Sequence, residues 1–435
     1  MNNIIPHKWE VKKFDEIFDV VTDYVANGSF ASLRENVSYK DDEDYAILVR
    51  LQDYSNKFQK NFVYVDEHAY NFLSKSKLNP NDLVICNVGA AGIIFKVPDL
   101  KKPMTLGPNS ILVRTNESSD YMYYYIQSSI GQQKLKDITT TTAQPKFNKT
   151  DFKSIKCILP PLKEQQKIAE ILSSVDAAIE KTEQVIAKTE EVKKGLMQQL
   201  LTKGIGHTEF VDTELGSLPS KWTVMNFMSL VNILDFRGRT PKKLGLDWGG
   251  NIPALSANNV RMGYIDFSLP THYGNDTLYE KWMTKGDLEI GDLVLTTEAP
   301  AGNIAIINKN ERYILSQRVI GIKVYREYLL PEYLKYYFMS DLFNKYLKQF
   351  STGTTATGIS QKSLAFLKIP LPSLEEQEKI SRTLLQYDSK LLNDNQYLKE
   401  LKNLKSGLMQ QLLTGKTRVK EATMYSFLKE LGYCE

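Results

Sequence analysis

The chain has 435 residues, more than one ordinary core organises, so two or three domains are expected. Its 42% hydrophobic and 24% charged residues place it in the soluble globular class, and the lack of any apolar run of about 18 residues argues against a membrane-spanning helix; no membrane is expected among its partners. With 55 basic residues against 51 acidic ones the net charge is +4, so a nucleic-acid reading has to rest on local clusters.

The N-terminal MNNIIPHKWEVKKF lacks the apolar stretch of a secretory signal. Cys86, Cys157 and Cys434 are too few and too scattered for a disulfide framework, so a reduced, cytoplasmic setting is expected. A polar stretch follows, SFASLRENVSYK (29–40), with Arg34, Asn36 and Lys40. YAILVRL (45–51), DLVICNV (82–88) and NSILVRT (109–115) are rich in β-branched and apolar residues and read as strands. A Tyr-rich amphipathic helix is expected over about 119–136. TTTTAQPKFNK (139–149) then carries Thr140, Lys146, Asn148 and Lys149, and a long helix opens after Pro160-Pro161.

The same order resumes beyond that helix. FRGRTPKK (236–243) holds Arg237, Arg239, Lys242 and Lys243, and SANNVRMG (256–263) holds Asn258, Asn259 and Arg261. DLVLTT (292–297), NIAIIN (303–308) and RVIGIKVY (318–325) read as strands, and a second Tyr-rich helix covers about 331–348. STGTTATGISQK (351–362) supplies Thr354, Thr355, Ser360, Gln361 and Lys362 before a second long helix.

This order is a duplication. Residues 159–202 and 371–414 align without a gap at an offset of 212, with 19 of 44 positions identical, and both end in GLMQQLLT. Tyr121, Tyr124, Tyr125 and Ser128 match Tyr333, Tyr336, Tyr337 and Ser340 at the same offset. KWEV (8–11) answers KWTV (221–224), whereas 20–80 and 231–281 share little that aligns. One frame carries two different faces.

In the long helices, Ile168, Leu172, Val175, Ile179, Ile186, Leu196 and Leu200, then Ile380, Leu384, Tyr387, Leu391, Leu398, Leu401, Leu408 and Leu412, fall on a coiled-coil spacing. Each helix is expected to run about 38 residues, roughly 57 Å. Ser373 and Glu376 have the spacing of a capping box. The narrow stripe and the charged opposite face, EKTEQVIAKTEEVKK, favour a paired rod over two helices of a globular core.

Catalytic signatures are missing. LTGKT (413–417) is not a phosphate loop, because Gln410 stands where its first glycine belongs. His7, His68, His207 and His272 are isolated, no metal-ligand spacing occurs, and neither a nucleophile elbow nor a methyltransferase motif is found. The polar loops instead suit DNA: hydroxyl, amide and Lys groups hold phosphates, and Asn, Gln and Arg pair with base edges.

On these residues the chain resembles the specificity subunits of Type I restriction–modification enzymes. The resemblance is carried by Leu159-Pro160-Pro161-x-x-Glu164-Gln165-x-x-Ile168, by Leu371-Pro372-x-x-Glu375-Glu376-Gln377-x-x-Ile380, and by Gly195–Thr202 and Gly407–Thr414. It covers about 5–420 and leaves the tail EATMYSFLKELGYCE without a counterpart.

The resemblance implies an α+β fold with two target recognition domains, 1–157 and 206–370. Two long antiparallel coiled-coil helices, 158–205 and 371–420, join them, and a tail follows at 421–435. It implies a non-catalytic chain in which each domain reads half of a split site on double-stranded DNA. The helices would set the spacer and dock two methyltransferase subunits through Glu164, Gln165, Leu196, Gln198 and Gln199, and through Glu376, Gln377, Leu408, Gln410 and Gln411. S-adenosylmethionine would sit in that partner and not in this chain, and motor-nuclease subunits would complete the complex. The rival expectations are a coiled-coil scaffold, which would not select DNA sequences, and a fused methyltransferase or nuclease, which would modify DNA alone.

Overall fold

The computed structural model describes residues 6–350 and 358–419. The chain forms two compact units, Met1–Glu183 with Tyr397–Glu435, and Gln184–Gln396. The long helices are Leu162–Lys203 and Leu374–Leu412, slightly longer than the stripe alone predicts, and each contributes a part to both units.

The first unit is layered. An antiparallel four-stranded sheet runs in the order Phe18–Asp23, Ser110–Thr115, Leu83–Cys86, Ile94–Lys96. Alternation along the central strand feeds two cores. Leu83 and Ile85 pack on the Tyr-rich helices and on Ile168, Leu172 and Val175 of the first long helix. Val84 and Cys86 face Ile47 and Val49, which belong to a second four-stranded sheet. Both faces are covered, which is why DLVICNV reads as a continuous apolar run.

The second unit repeats this plan. Val231–Leu234, Val319–Val324, Leu293–Thr296 and Ile304–Ile306 form its four-stranded sheet. Leu293 and Leu295 pack toward Ile380 and Leu384 of the second long helix, and Val294 packs on the other face, against Leu255 and Ile314. In both domains the outer sheet contains one parallel pair, Ala46–Val49 with Met104–Leu106 and Ile252–Leu255 with Ile314–Leu315. The topology therefore persists through 20–80 and 231–281, where the sequences no longer align.

Each domain is closed at its root by strands that the sequence did not announce. Glu10–Lys13 pairs with Lys156–Leu159, and Thr223–Asn226 pairs with Lys368–Leu371. The Tyr-rich helices are also corrected: each is broken in two, at Ser128 and at Ser340. Both serines have extended backbones and donate a hydroxyl hydrogen bond of 2.6 Å to the carbonyl of Tyr125 or Tyr337, ending one helix as the next begins.

In the first unit, Leu408, Leu412 and Leu413 at the end of the second long helix pack with Ile168 and Leu172 at the start of the first. In the second unit, Leu200 and Leu201 pack with Ile380 and Leu384. The helices are antiparallel, and their predicted stripe residues are buried or half-buried throughout.

Gly204 and Gly206 follow the first long helix with φ of +63° and +71°, a conformation that costs other residues about 1–2 kcal/mol. A Cβ on Gly204 would stand 2.5 Å from Glu376 Oε1 and 2.8 Å from the Trp222 ring, whereas one on Gly206 meets nothing within 4 Å. Gly204→Ala should therefore lower the urea midpoint distinctly more than Gly206→Ala; equal losses would show that the Trp222 contact yields freely.

Candidate nucleic-acid interface and rod contacts

The Glu-Gln pair of each repeat fastens a domain to its own helix. Gln165 accepts from Ser118 N at 3.0 Å and donates to Pro160 O at 2.8 Å and Glu117 Oε2 at 3.0 Å. Gln377 accepts from Leu330 N at 2.9 Å and donates to Pro372 O at 3.0 Å and Tyr328 O at 2.9 Å. Both glutamines are fully buried. Glu164 accepts from Trp9 Nε1 at 3.2 Å and from the Arg418 guanidinium at 2.8 Å through two nitrogens. Glu376 accepts from Trp222 Nε1 at 3.1 Å, Ile205 N at 2.8 Å and His207 Nε2 at 3.0 Å.

These contacts bear on two expectations. Ser373 Oγ does accept from Glu376 N at 3.3 Å, but the Glu376 carboxylate serves Trp222 and His207, so the reciprocal half of the capping box does not form. Gln165 and Gln377 are buried and Glu164 and Glu376 partly so, and all four direct their polar groups to partners within the chain. Leu408 is buried and Leu196 half-buried, both packed inward. Of the ten expected docking residues, Gln198, Gln199 and Gln410 face solvent and Gln411 does so in part.

In the first domain, Arg34 is exposed on the helix Phe30–Asn36. Asn36 instead donates to Ser32 O at 2.9 Å and meets His68 Nε2 at 3.1 Å. Lys40 pairs with Asp44 at 2.6 Å and Asp66 at 3.5 Å, and the Asp44 hydrogen bond holds its ammonium above the usual lysine range. Thr140 and Lys146 close a loop by backbone hydrogen bonding at 2.9 Å, and both side chains lie at the surface. Asn148 caps the helix Lys149–Ser154 by accepting from Asp151 N, and Lys149 pairs with Asp23 at 2.8 Å. Arg34, Thr140 and Lys146 thus remain the residues best placed for an outside ligand.

The basic cluster of the second domain is half structural. Arg237 forks onto Asp235, with Nη2 at 2.6 Å from Oδ2, and donates to Ile359 O at 3.3 Å. Arg239 closes the end of the helix Asp276–Trp282 by donating to Lys281 O at 3.0 Å, to Trp282 O and to Thr284 Oγ1 at 2.8 Å. Lys242 is exposed, and the exposed Lys243 donates to Gly238 O at 2.8 Å. Asn258 is exposed and Arg261 partly so. Asn259 is wholly buried: its carbonyl accepts from Ser256 Oγ at 2.5 Å, and its amide donates to Asp266 O at 3.2 Å and Thr271 Oγ1 at 3.0 Å. The Asn259 carbonyl and amide are thereby both engaged within the chain.

Arg239, Asn258, Gln317 and Arg318 line a cavity of about 490 Å³ together with Trp248 and His272, whose rings stack at 5.1 Å. Sequence inspection missed the last four. Nothing in LDWGG, PTHYG or LSQRV marks these residues until strand pairing brings them together.

One backbone hydrogen bond recurs in both domains: Phe147 N donates to Asn87 O at 3.0 Å and Ile359 N donates to Thr297 O at 2.7 Å. It ties the polar stretch before each long helix to the loop after the central strand. Ser360 caps the helix Gln361–Phe366 beside this point. Thr354, Thr355 and the tail 421–435 lie outside the described residues, as do the side chains of Gln361 and Lys362.

The family model for the Type I restriction modification DNA specificity domain matches this chain twice, over residues 6–191 and 219–403. The MjaVIII specificity subunit of a Type I restriction enzyme from Methanocaldococcus jannaschii is 33% identical over 355 residues, covering 79% of this chain and 80% of the relative. A putative MjaX specificity subunit from the same organism is 28% identical over 426 residues, covering 96% and 95%. The S subunit of a Type-I restriction-modification system from M. genitalium shares the fold, with a TM-score of 0.56 at 15% identity over 95% of this chain and 97% of that one.

The two neighbouring asparagines make opposite predictions. Asn259→Ala should cost about 1–3 kcal/mol in urea denaturation, because it strands buried partners. Asn258→Ala should stay within about 0.5 kcal/mol. Similar losses at both positions would contradict the division of roles.

Proposed function

The chain belongs to the Type I restriction modification DNA specificity family, as a specificity subunit, and from that premise we propose how it recognises its target. Each domain reads one half of a bipartite, asymmetric site in double-stranded DNA, and the paired helices set the gap between the halves. The observation that carries this reading is the repetition of the same fittings at an offset of 212 residues beneath unlike polar surfaces. Glu164 and Glu376, Gln165 and Gln377, and the backbone bonds of Phe147 and Ile359 do the same work twice. The surfaces they support differ: Arg34, Thr140 and Lys146 in one domain, and the Trp248–His272 cavity with Asn258, Gln317 and Arg318 in the other. Equal frames with unequal faces suit two unlike half-sites.

Cationic groups such as Arg34, Lys146, Lys242 and Arg318 hold phosphates, and Asn258 and Gln317 address base edges. Gln198 and Gln199 in one repeat, with Gln410 and Gln411 in the other, present matching amide pairs to two copies of one methyltransferase subunit. That partner holds S-adenosylmethionine and carries out the modification, motor-nuclease subunits add cleavage, and the whole works in the cytoplasm. This chain contributes recognition and no chemistry of its own.

Replacing residues 8–157 by the matching domain of a relative tests the reading through methylome sequencing. One half of the methylated motif should change, while the other half and the gap persist; changes in both halves would overturn it. In the assembled complex, Lys242→Glu with Arg318→Glu should weaken DNA binding and flatten its salt dependence, by roughly 0.9 in the log–log slope for each phosphate no longer neutralised. Native mass spectrometry should find two methyltransferase subunits per chain, and saturation at one would contradict the matching docking ends.

A further inference from the structure

A second set of repeated contacts ties each domain to both helices at once. Asp176, on the first long helix, accepts from Tyr124 Oη at 2.8 Å and pairs with Lys405 of the second helix at 2.6 Å. Asp388, on the second helix, accepts from Tyr336 Oη at 2.6 Å and pairs with Lys193 of the first. All three members repeat at the offset of 212, with the two helices exchanging roles. We infer that Asp176 and Asp388 are register keys: each carboxylate locks a recognition domain to one turn of both helices, and so fixes the number of base pairs allowed between the half-sites. The inference rests on the DNA-reading function proposed above and adds the residues that make its ruler exact in length.

The apolar seam cannot supply this alone. Leucines at coiled-coil spacing tolerate a slipped alignment, whereas a charged pair within a seam has one partner position, and fixing register is the best-attested use of such groups. A slip by one turn moves a lysine about 5.4 Å and takes it out of reach of its carboxylate. On each helix the keyed positions stand 17 residues apart, 176 to 193 and 388 to 405. One alignment therefore satisfies both keys, and a slipped one breaks both. The pairs are also screened from solvent: the Lys193 and Asp388 side chains are 15% and 28% exposed, against 61% and 77% for the surface pair Lys379–Glu375.

The keys are not identical. Lys335, which replaces Tyr123 in the second copy, is 9% exposed and lies 3.4 Å from Asp388. Burial holds its ammonium below the usual lysine range. At Asp388 burial acts the other way, but the hydrogen bonds from Lys193 and Tyr336 outweigh it and keep the carboxyl below its ordinary value. Asp388 thus neutralises two shielded lysines and Asp176 one, so loss of Asp388 should do more harm.

The experiment uses the full complex with its methyltransferase subunits and a DNA series whose spacer is native or one base pair shorter or longer. The wild type should methylate one spacing. Asp388→Asn should erode the preference for that spacing by about tenfold, the equivalent of one hydrogen bond to a charged group, and Asp176→Asn by less. The bases read in each half-site should not change. Tyr336→Phe, which keeps the ion pair, is the milder variant should Asp388→Asn fold poorly, and Asp176→Lys with Lys405→Asp should restore spacing where Asp176→Asn relaxes it. Spin labels at Lys167 and Gln410 report register without DNA: one narrow distance in the wild type, and a second population in Asp176→Asn. Strict spacing and an unbroadened distance in folded variants would overturn the keys. A wild type that shows the narrow distance yet methylates no spacing selectively would overturn the DNA-reading function instead.

Discussion

A narrow apolar stripe running the length of a forty-residue helix has to be covered, and the rest of this structure follows from how that is done. The second copy of the stripe supplies the cover, laid antiparallel, so that the start of one helix meets the end of the other in each unit. Each unit is consequently built from both repeats. Ile168 and Leu172 share a core with Leu408 and Leu412, and Ile380 and Leu384 share one with Leu200 and Leu201. No domain of this chain has a complete core without the other copy's helix.

Coverage by leucine is cheap in information, so the polar fittings carry the specificity of assembly. Gln165 and Gln377 satisfy backbone groups that the domain root would otherwise bury unpaired, and the two tryptophans hand their indole N–H groups to Glu164 and Glu376. At the helix ends the copies diverge in chemistry while keeping the plan. Arg418 completes one carboxylate and His207 the other, and a left-handed glycine lies against each tryptophan. Constancy at the root frees the outer loops to differ.

That freedom explains why the outer loops were the harder part to read. Basic residues in FRGRTPKK suggested a ligand surface, yet Arg237 and Arg239 spend their donors on Asp235, Ile359 and the end of a neighbouring helix. Arginine has enough donors to brace a loop from within, and only the fold tells a brace from a reader. The SANNVRMG pair divides in the same way, Asn259 inward and Asn258 outward.

Local chemistry and internal repetition were enough to determine the duplication, the main strands and the apolar stripe, and the repeated motifs carried the resemblance to the family. Periodicity and identity at fixed offsets survive in one dimension because burial imposes them residue by residue. The tertiary structure decided what depends on distant partners. It broke the Tyr-rich helices at Ser128 and Ser340, paired Glu10–Lys13 with Lys156–Leu159 to close a domain, and turned the shared Glu-Gln motif inward. It also assembled Trp248, His272 and Arg318 from separate loops, and joined Tyr124, Asp176 and Lys405 from three helices. A side chain's partner is set by which surfaces come together in three dimensions, and a single sequence does not record that.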